Sequence, residues 1–243
     1  MGRLLASVAL ACLLMPASAL AASGACGQFG SDALADAFDK VSPSVVGLSI
    51  QRAPGSPSAM GAGLVWDATG HIVTNDHVVA QGERITVTLA DGSRRTVQRL
   101  ARDTAHDLAV LKVTGRLPAP VDRGRSTSLR IGQWVMAVGN PYGLGSSLSV
   151  GIVSGLNRAI DSTNGTRLEG MVQTDALLNP GNSGGALFDC GGRLVGVTTA
   201  VSPPGPGPGG IGFAIGVDEA AAVVNRLITE IKLGKGLQVA ETP

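Results

Sequence analysis

The chain has 243 residues, enough for one domain or two small fused ones, with 19 basic residues against 18 acidic and a net charge of +1. Charged residues make up 15%, against about 25% in ordinary soluble domains, and glycine fills 35 positions, about twice its usual share. A balance this close to neutral argues against nucleic acid or an anionic membrane surface as partner, and low charge with many turn residues argues for short strands over exposed helices.

Met1-Gly2-Arg3 is a short basic stretch, Leu4 to Met15 is apolar, and Ala17-Ser18-Ala19 and Ala19-Leu20-Ala21 are both small-residue cleavage sites. Residues 1–21 therefore read as a secretory signal peptide, and the mature protein is expected to be exported, periplasmic or secreted. No other stretch approaches the roughly 18 consecutive apolar residues of a membrane helix. Cys12 belongs to the leader, which leaves Cys26 and Cys190. Two thiols in an exported chain can pair, stapling the N-terminal arm (22–42) to the later half of the chain. The alternative is a lipid on Cys26, although Ser23-Gly24-Ala25 lacks the large aliphatic residue such a site prefers.

Ser31 to Lys40 reads as a short helix capped by Ser31 or Asp32, with Leu34, Phe38 and Val41 as its apolar stripe and Pro43 ending it. Strands are expected at Val45–Gln51, Gly63–Trp66, His71–Thr74, Ile85–Leu89, Thr96–Gln98 and Ala109–Val113, with a hairpin turn at Asp91-Gly92. Leu117 to Ser128 has the look of a linker. A second group of strands follows at Trp134–Val138, Leu148–Leu156, Met171–Thr174, Ala186–Phe188, Leu194–Thr199 and Gly212–Ile215. Many short strands at this spacing indicate an all-β sandwich or barrel. Asp218 to Ile231 reads as a closing helix, capped by Asp218 and striped by Ala222, Val223, Leu227 and Ile231.

The chemistry is concentrated in Asn179-Pro180-Gly181-Asn182-Ser183-Gly184-Gly185. Glycine permits positive φ and close backbone approach, so such a turn can aim the N–H groups of Gly181 and Ser183 at one point beside the Ser183 hydroxyl, as an oxyanion hole requires. The plain alternative is a Gly-rich hairpin with an incidental serine. A serine hydroxyl is a weak nucleophile and needs a base, and the base needs an orienting group. The histidines are His71, His77 and His106. His77 sits where an apolar strand gives way to a turn, and Asp107 opens the buried-looking run Leu108 to Val113. His71 alternates within a strand. His106 adjoins Asp107, and neighbours on an extended segment point to opposite sides, so His77 is assigned as base and Asp107 as its orienter. The same alternation counts against Asp76, while Asp103 and Asp175 read as turn or structural carboxylates. The order His, Asp, Ser is that of the chymotrypsin fold.

Thr74-Asn75-Asp76-His77-Val78-Val79, Asp107 through Val113, Gly139-Asn140-Pro141-Tyr142-Gly143 and Thr174-Asp175 through Gly185 together resemble the protease domain of the HtrA (Deg) serine proteases, trypsin-like enzymes of envelope protein quality control. The resemblance runs from about Leu34 to Ile231. It implies an all-β, chymotrypsin/trypsin-like fold of two six-stranded antiparallel β-barrels (about 43–116 and 129–217), with a short N-terminal helix and a closing helix (218–232), in a protease domain spanning 43–232. It implies a serine endopeptidase that hydrolyses unfolded or damaged proteins through His77, Asp107 and Ser183, and an arm that helps build a homotrimer. That chemistry calls for no cofactor and no metal. Most relatives continue into PDZ domains, whereas 233–243 reads here as a short tail without one. A peptide-binding, chaperone-like module with little turnover is the second reading.

In this fold the floor of the specificity pocket precedes the oxyanion turn, here Ala176-Leu177-Leu178, and its wall is the strand running through Thr199, Ala200 and Val201. An apolar floor offers no partner to a buried Lys or Arg head group, so cleavage after Val, Ala, Leu or Ile is expected. Asn182 stands where digestive relatives have an aspartate, which points to control by loop ordering. The Pro- and Gly-rich stretch 203–210 beside the pocket wall is either a gate or an inert surface loop.

Overall fold

The computed structural model describes residues 31–53, 58–140, 145–162, 165–201 and 210–239. The expected leader, Cys26, Pro141 to Gly143 and residues 203–209 lie outside them. Strands β1 (Val45–Gln51), β2 (Ala59–Val65), β3 (His71–Thr74), β4 (Arg84–Thr88), β5 (Arg94–Asp103) and β6 (Leu108–Val113) pair in the order β5-β4-β1-β2-β3-β6. Pairing of β5 with β6 closes this order on itself. Strands β7 (Trp134–Gly139), β8 (Ser147–Asp161), β9 (Arg167–Thr174), β10 (Ala186–Asp189), β11 (Leu194–Val201) and β12 (Gly212–Gly216) form a second closed barrel, and every pairing is antiparallel. Helix α1 (Ser31–Val41) precedes the first barrel, and α3 (Val217–Lys232) follows the second.

The low charge content has a direct cause in this arrangement. Alternate residues of the strands at the seam point to different hydrophobic cores. In β6, Ala109, Leu111 and Val113 fill the first barrel, while Leu108 and Val110 join the shared core between barrels. In β7, Val135 and Ala137 fill the second barrel, while Met136 and Val138 join the same shared core. Such strands are buried on both faces and have no room for a polar side. β4 lies away from the seam, and there the expected alternation holds: Ile85 and Val87 point inward, and the residues between them are half-buried. The Asp91-Gly92 turn joins β4 to β5, with Gly92 at φ 79° and its N–H donating to Leu89.

Four local readings need correction. The closing helix begins at Val217 with Gly216 as its N-cap, so Asp218 lies in the first turn and does not cap it. Its buried stripe is Val217, Ala220, Val223, Val224, Leu227, Ile228 and Ile231, whereas Ala222 is exposed, because the i, i+3/i+4 face runs through Ala220. The segment read as a tail contains β13 (Leu237–Gln238), which pairs with Leu100 and Arg99 on β5. A one-turn helix α2 (Asp76–Val79) follows β3, too short to leave a periodic signature.

Asp218 instead ties the interbarrel segment to α3. Its carboxylate accepts the Thr127 N–H at 2.9 Å and the Ser126 hydroxyl at 3.1 Å. The Thr127 N–H above all holds the Asp218 carboxyl below the usual carboxylate range. A pKa lowered by folding stabilises the protein above the unfolded value of about 3.9, and that contribution is lost as pH falls through the folded value. Asp218→Asn is therefore expected to lower Tm at neutral pH, with the deficit closing below about pH 3.5. Melting curves that keep the same gap at the acid end would refute the assignment.

Candidate active site

β3 ends at Thr74, whose hydroxyl donates to the Ala62 carbonyl at 2.7 Å, and the chain turns through buried Asn75 into α2. This turn puts His77 at the mouth of the first barrel, with 24% of its side chain exposed. The His77 backbone N–H donates to Asp107 Oδ1 at 3.0 Å, and the ring Nδ1 lies 3.0 and 2.9 Å from Oδ1 and Oδ2. An ionised carboxylate only accepts, so Nδ1 carries the proton and Nε2 presents its lone pair elsewhere.

Asp107 is completely buried and ends a four-residue turn between β5 and β6 at φ 52°. A non-glycine residue in this region is uncommon and is held there by its neighbours. Asn75 Nδ2 donates to the Asp107 carbonyl at 3.0 Å, and the Thr199 hydroxyl donates to Oδ2. The segment 104–107 is thus a turn, and the extended backbone on which His106 and Asp107 were separated is absent. His106 faces Asp103 for another reason: Asp103 Oδ1 accepts both its N–H, at 3.0 Å, and its Nδ1, at 2.9 Å.

Ser183 lies in the loop between β9 and β10, docked on the first barrel by the Ala62 N–H donating to the Ser183 carbonyl at 2.8 Å. Gly184 has φ 83°, and a Cβ there would strike Thr74 Oγ1 and the Ala62 carbonyl, so only glycine permits this approach. The loop is pinned to β11 by the Gly184 N–H on the Thr198 carbonyl (2.8 Å) and by Thr198 Oγ1 on the Asn182 carbonyl (2.6 Å). The Ser183 hydroxyl donates to the Thr199 carbonyl at 3.2 Å. Thr199 therefore joins the two halves, with its hydroxyl on Asp107 and its carbonyl on Ser183. Gly181 has φ 98°, and among the described residues its N–H and that of Ser183 have no acceptor.

The pocket residues divide. Leu178 is 8% exposed and packs in the second-barrel core, beneath Gly212, whereas Leu177 is 56% exposed and its carbonyl accepts the Ser149 hydroxyl. Thr199 is buried, and Ala200 and Val201 continue β11 by pairing with Phe213 and Gly212. Asn182 Oδ1 is buried beside Gly139 without a partner among the described residues. Cys190 is disulfide-bonded, and its expected partner, Cys26, lies outside the described residues.

The remaining candidates have structural partners. His71 is buried with Nδ1 2.7 Å from Asp67 Oδ2. Burial pushes the Asp67 carboxyl up, but bonds from His71 and Thr69 outweigh it and hold the group below its ordinary range. Asp103 shows the same contest: burial raises it, and the His106 bonds and Arg226 bring it below the usual value. Asp175 Oδ1 accepts the Ile152 N–H at 2.7 Å. Among the described residues no group of three His, Cys, Asp or Glu side chains could hold a metal ion, and no helix is long and apolar enough to cross a membrane. Sequence reasoning missed the link from Thr199 to Asp107, which spans 92 positions and leaves no local pattern to find.

Residues 61–197 match the family model for a trypsin-like peptidase domain. The chain is similar to Protease Do-like 1, chloroplastic, of Arabidopsis thaliana, with 42% identity over 71% of this chain and 40% of that protein. It is similar to a probable periplasmic serine endoprotease DegP-like of Rickettsia conorii, with 37% identity over 78% of this chain and 38% of that one. The chain thus spans about two fifths of the length of these curated relatives. Among solved structures it is similar to the HtrA-type protease AlgW with tripeptide, with a TM-score of 0.73 and 38% identity over 80% of this chain and 63% of that one.

Thr199→Val keeps the shape and removes the hydroxyl that serves a buried carboxylate. The expected cost is about 1.5–3 kcal/mol, the range for hydrogen bonds to charged groups, read as a fall in Tm on the order of 5 °C. A variant that melts with the parent would show that this bond does not hold Asp107.

Proposed function

The chain belongs to the HtrA (Deg) family of trypsin-like serine proteases, and on that premise we propose that it is a serine-type endopeptidase with His77, Asp107 and Ser183 as its catalytic triad. The observation that carries the reading is His77 held through Nδ1 on the buried Asp107 carboxylate, which the Thr199 hydroxyl also binds. Asp107 holds the imidazole in the tautomer that leaves Nε2 free, and stabilises the imidazolium once it forms. In the reaction the Ser183 hydroxyl turns from Thr199 to Nε2, gives up its proton and attacks the scissile carbonyl. The N–H groups of Gly181 and Ser183 hold the tetrahedral oxyanion. His77 then protonates the departing amine, and a water activated by the same nitrogen hydrolyses the acyl-enzyme.

Unfolded or damaged exported proteins are the proposed substrates, by the family resemblance and by the leader-like residues 1–21. An aliphatic residue before the cut is supported by the apolar run Ala176-Leu177-Leu178, which offers a cation no partner. The Ser183 hydroxyl resting on Thr199 favours the second reading, a module that binds peptides and turns them over slowly.

Casein digestion by the parent and by Ser183→Ala separates the two. Loss of a triad serine is expected to lower kcat on the order of 10⁶-fold, as in other triads, and fluorophosphonate should label the parent alone. A parent as inert as the variant would leave only peptide binding. Cleavage of a peptide library is expected after Val, Ala, Leu and Ile, and a preference for Arg would remove the apolar pocket.

A further inference from the structure

The last two residues of β5 reach opposite ways and grip the carriers of both the base and its orienter. Arg102 stands opposite Ala109, and Asp103 opposite Leu108, in the β5–β6 register. Arg102 Nε and Nη2 donate to Asp76 Oδ1 and Oδ2 at 2.5 and 3.1 Å, and Nη1 lies 3.4 Å from the Ala80 carbonyl. Asp76 is 1% exposed and directly precedes His77, so this fork closes on both ends of α2. Asp103 faces the other side. Its Oδ1 accepts the His106 N–H and ring Nδ1, and its Oδ2 accepts Arg226 from α3, which moors the turn that ends in Asp107.

We propose that Arg102 and Asp103 form a two-sided positioning device for the catalytic pair. Arg102 seats the His77 helix through Asp76, and Asp103 seats the Asp107 turn through His106 and α3. The proposal rests on the triad reading above. Neither residue touches the reacting atoms; each adds a directional tie to a carrier that core packing of Val78 and Val79, or the Asn75 and Thr199 bonds to Asp107, already places. α2 has only four residues and no side-chain cap, and the turn holds Asp107 at positive φ. A displacement of about 1 Å in such an arrangement can cost roughly 100-fold in rate.

The device also has a sign. Asp107 is the carboxylate on the His77 ring, Asp76, paired with Arg102, lies one residue before His77 in the chain, and His106 and Arg226 are collected on Asp103. Removing Arg102 leaves the buried Asp76 anion uncompensated in the residue that precedes His77, and its field favours imidazolium. Removing the Asp76 charge leaves the guanidinium and disfavours it.

The experiment measures kcat, KM and the pH dependence of kcat/KM with a fluorogenic peptide, alongside fluorophosphonate labelling. Arg102→Gln is expected to lower kcat roughly tenfold or more with KM little changed. Its acid limb should move upward on the order of half a pH unit, and that of Asp76→Asn should move downward. Arg102→Gln with Asp76→Asn together should return the limb to the parent position, and retained fluorophosphonate labelling checks that each single variant is folded. Asp103→Ala should lower kcat, and Asp103→Asn, which keeps an acceptor for the His106 N–H, should recover part of it. Arg193→Gln breaks a comparable pair with Asp189 in the second barrel and should change neither quantity. Parent-like kcat in Arg102→Gln and Asp103→Ala would overturn the proposal. So would limbs that move the same way, or not at all, in Arg102→Gln and Asp76→Asn, which is the mark of general loosening. A parent that neither labels nor cuts sinks the protease reading, and the positioning proposal with it.

Discussion

A carboxylate cut off from solvent must find its hydrogen bonds inside the protein, and Asp107 draws them from separate parts of the chain. The His77 backbone and ring reach it from α2, and Thr199 reaches it from β11 in the other barrel. An isolated buried charge is strongly unfavourable, so a carboxylate at this place requires these donors. The requirement acts in both directions. Burial of one aspartate fixes where a short helix, a hairpin turn and a distant strand must lie relative to one another. Thr199 uses its carbonyl to extend the same requirement to Ser183.

That convergence depends on how the barrels meet. Seam strands alternate between a barrel interior and the shared core, so the barrels cannot slide past each other without exposing apolar side chains from both. The serine loop is then laid against β2 by the bond from the Ala62 N–H, at a separation that only Gly184 allows. Packing sets the coarse position, and a few directional bonds set the fine one. α3 packs over the same seam and carries Arg226 to Asp103, so the closing helix is part of the support of the site.

Imidazole–carboxylate contact does not by itself mark a catalytic histidine here. His71–Asp67, His77–Asp107 and His106–Asp103 all place Nδ1 at 2.7–2.9 Å from a carboxylate oxygen. What separates them is the environment of the acid. The Asp67 side chain is 31% exposed and that of Asp103 11%, while Asp107 is completely buried. Only Asp107 is joined through another residue to a serine hydroxyl. Water shares the task of stabilising Asp67, whereas Asp107 relies wholly on protein groups, so its geometry is the most tightly determined.

Much of this was legible before any coordinates. Strand positions followed from alternation and from turn residues such as Asp91-Gly92, and Ser183 stood out because it sits among Pro180, Gly181, Gly184 and Gly185, where a serine has no packing role. The readings that failed were those that assumed a local rule where a distant partner decided. His106 and Asp107 were separated by extended alternation, yet a turn at positive φ and the pull of Asp103 orient them. Asp218 looked like a cap, yet Ser126 and Thr127 claim it from 91–92 positions away. By itself the sequence determined the element types, the barrel-forming pattern and the candidate residues of the site, because periodicity, turn chemistry and charge scarcity act over a few neighbours. That Asp67 and Asp103 also hold imidazoles, and that Thr199 bridges Asp107 and Ser183, only the tertiary structure decided, because such hydrogen bonds depend on packing that local sequence patterns do not encode.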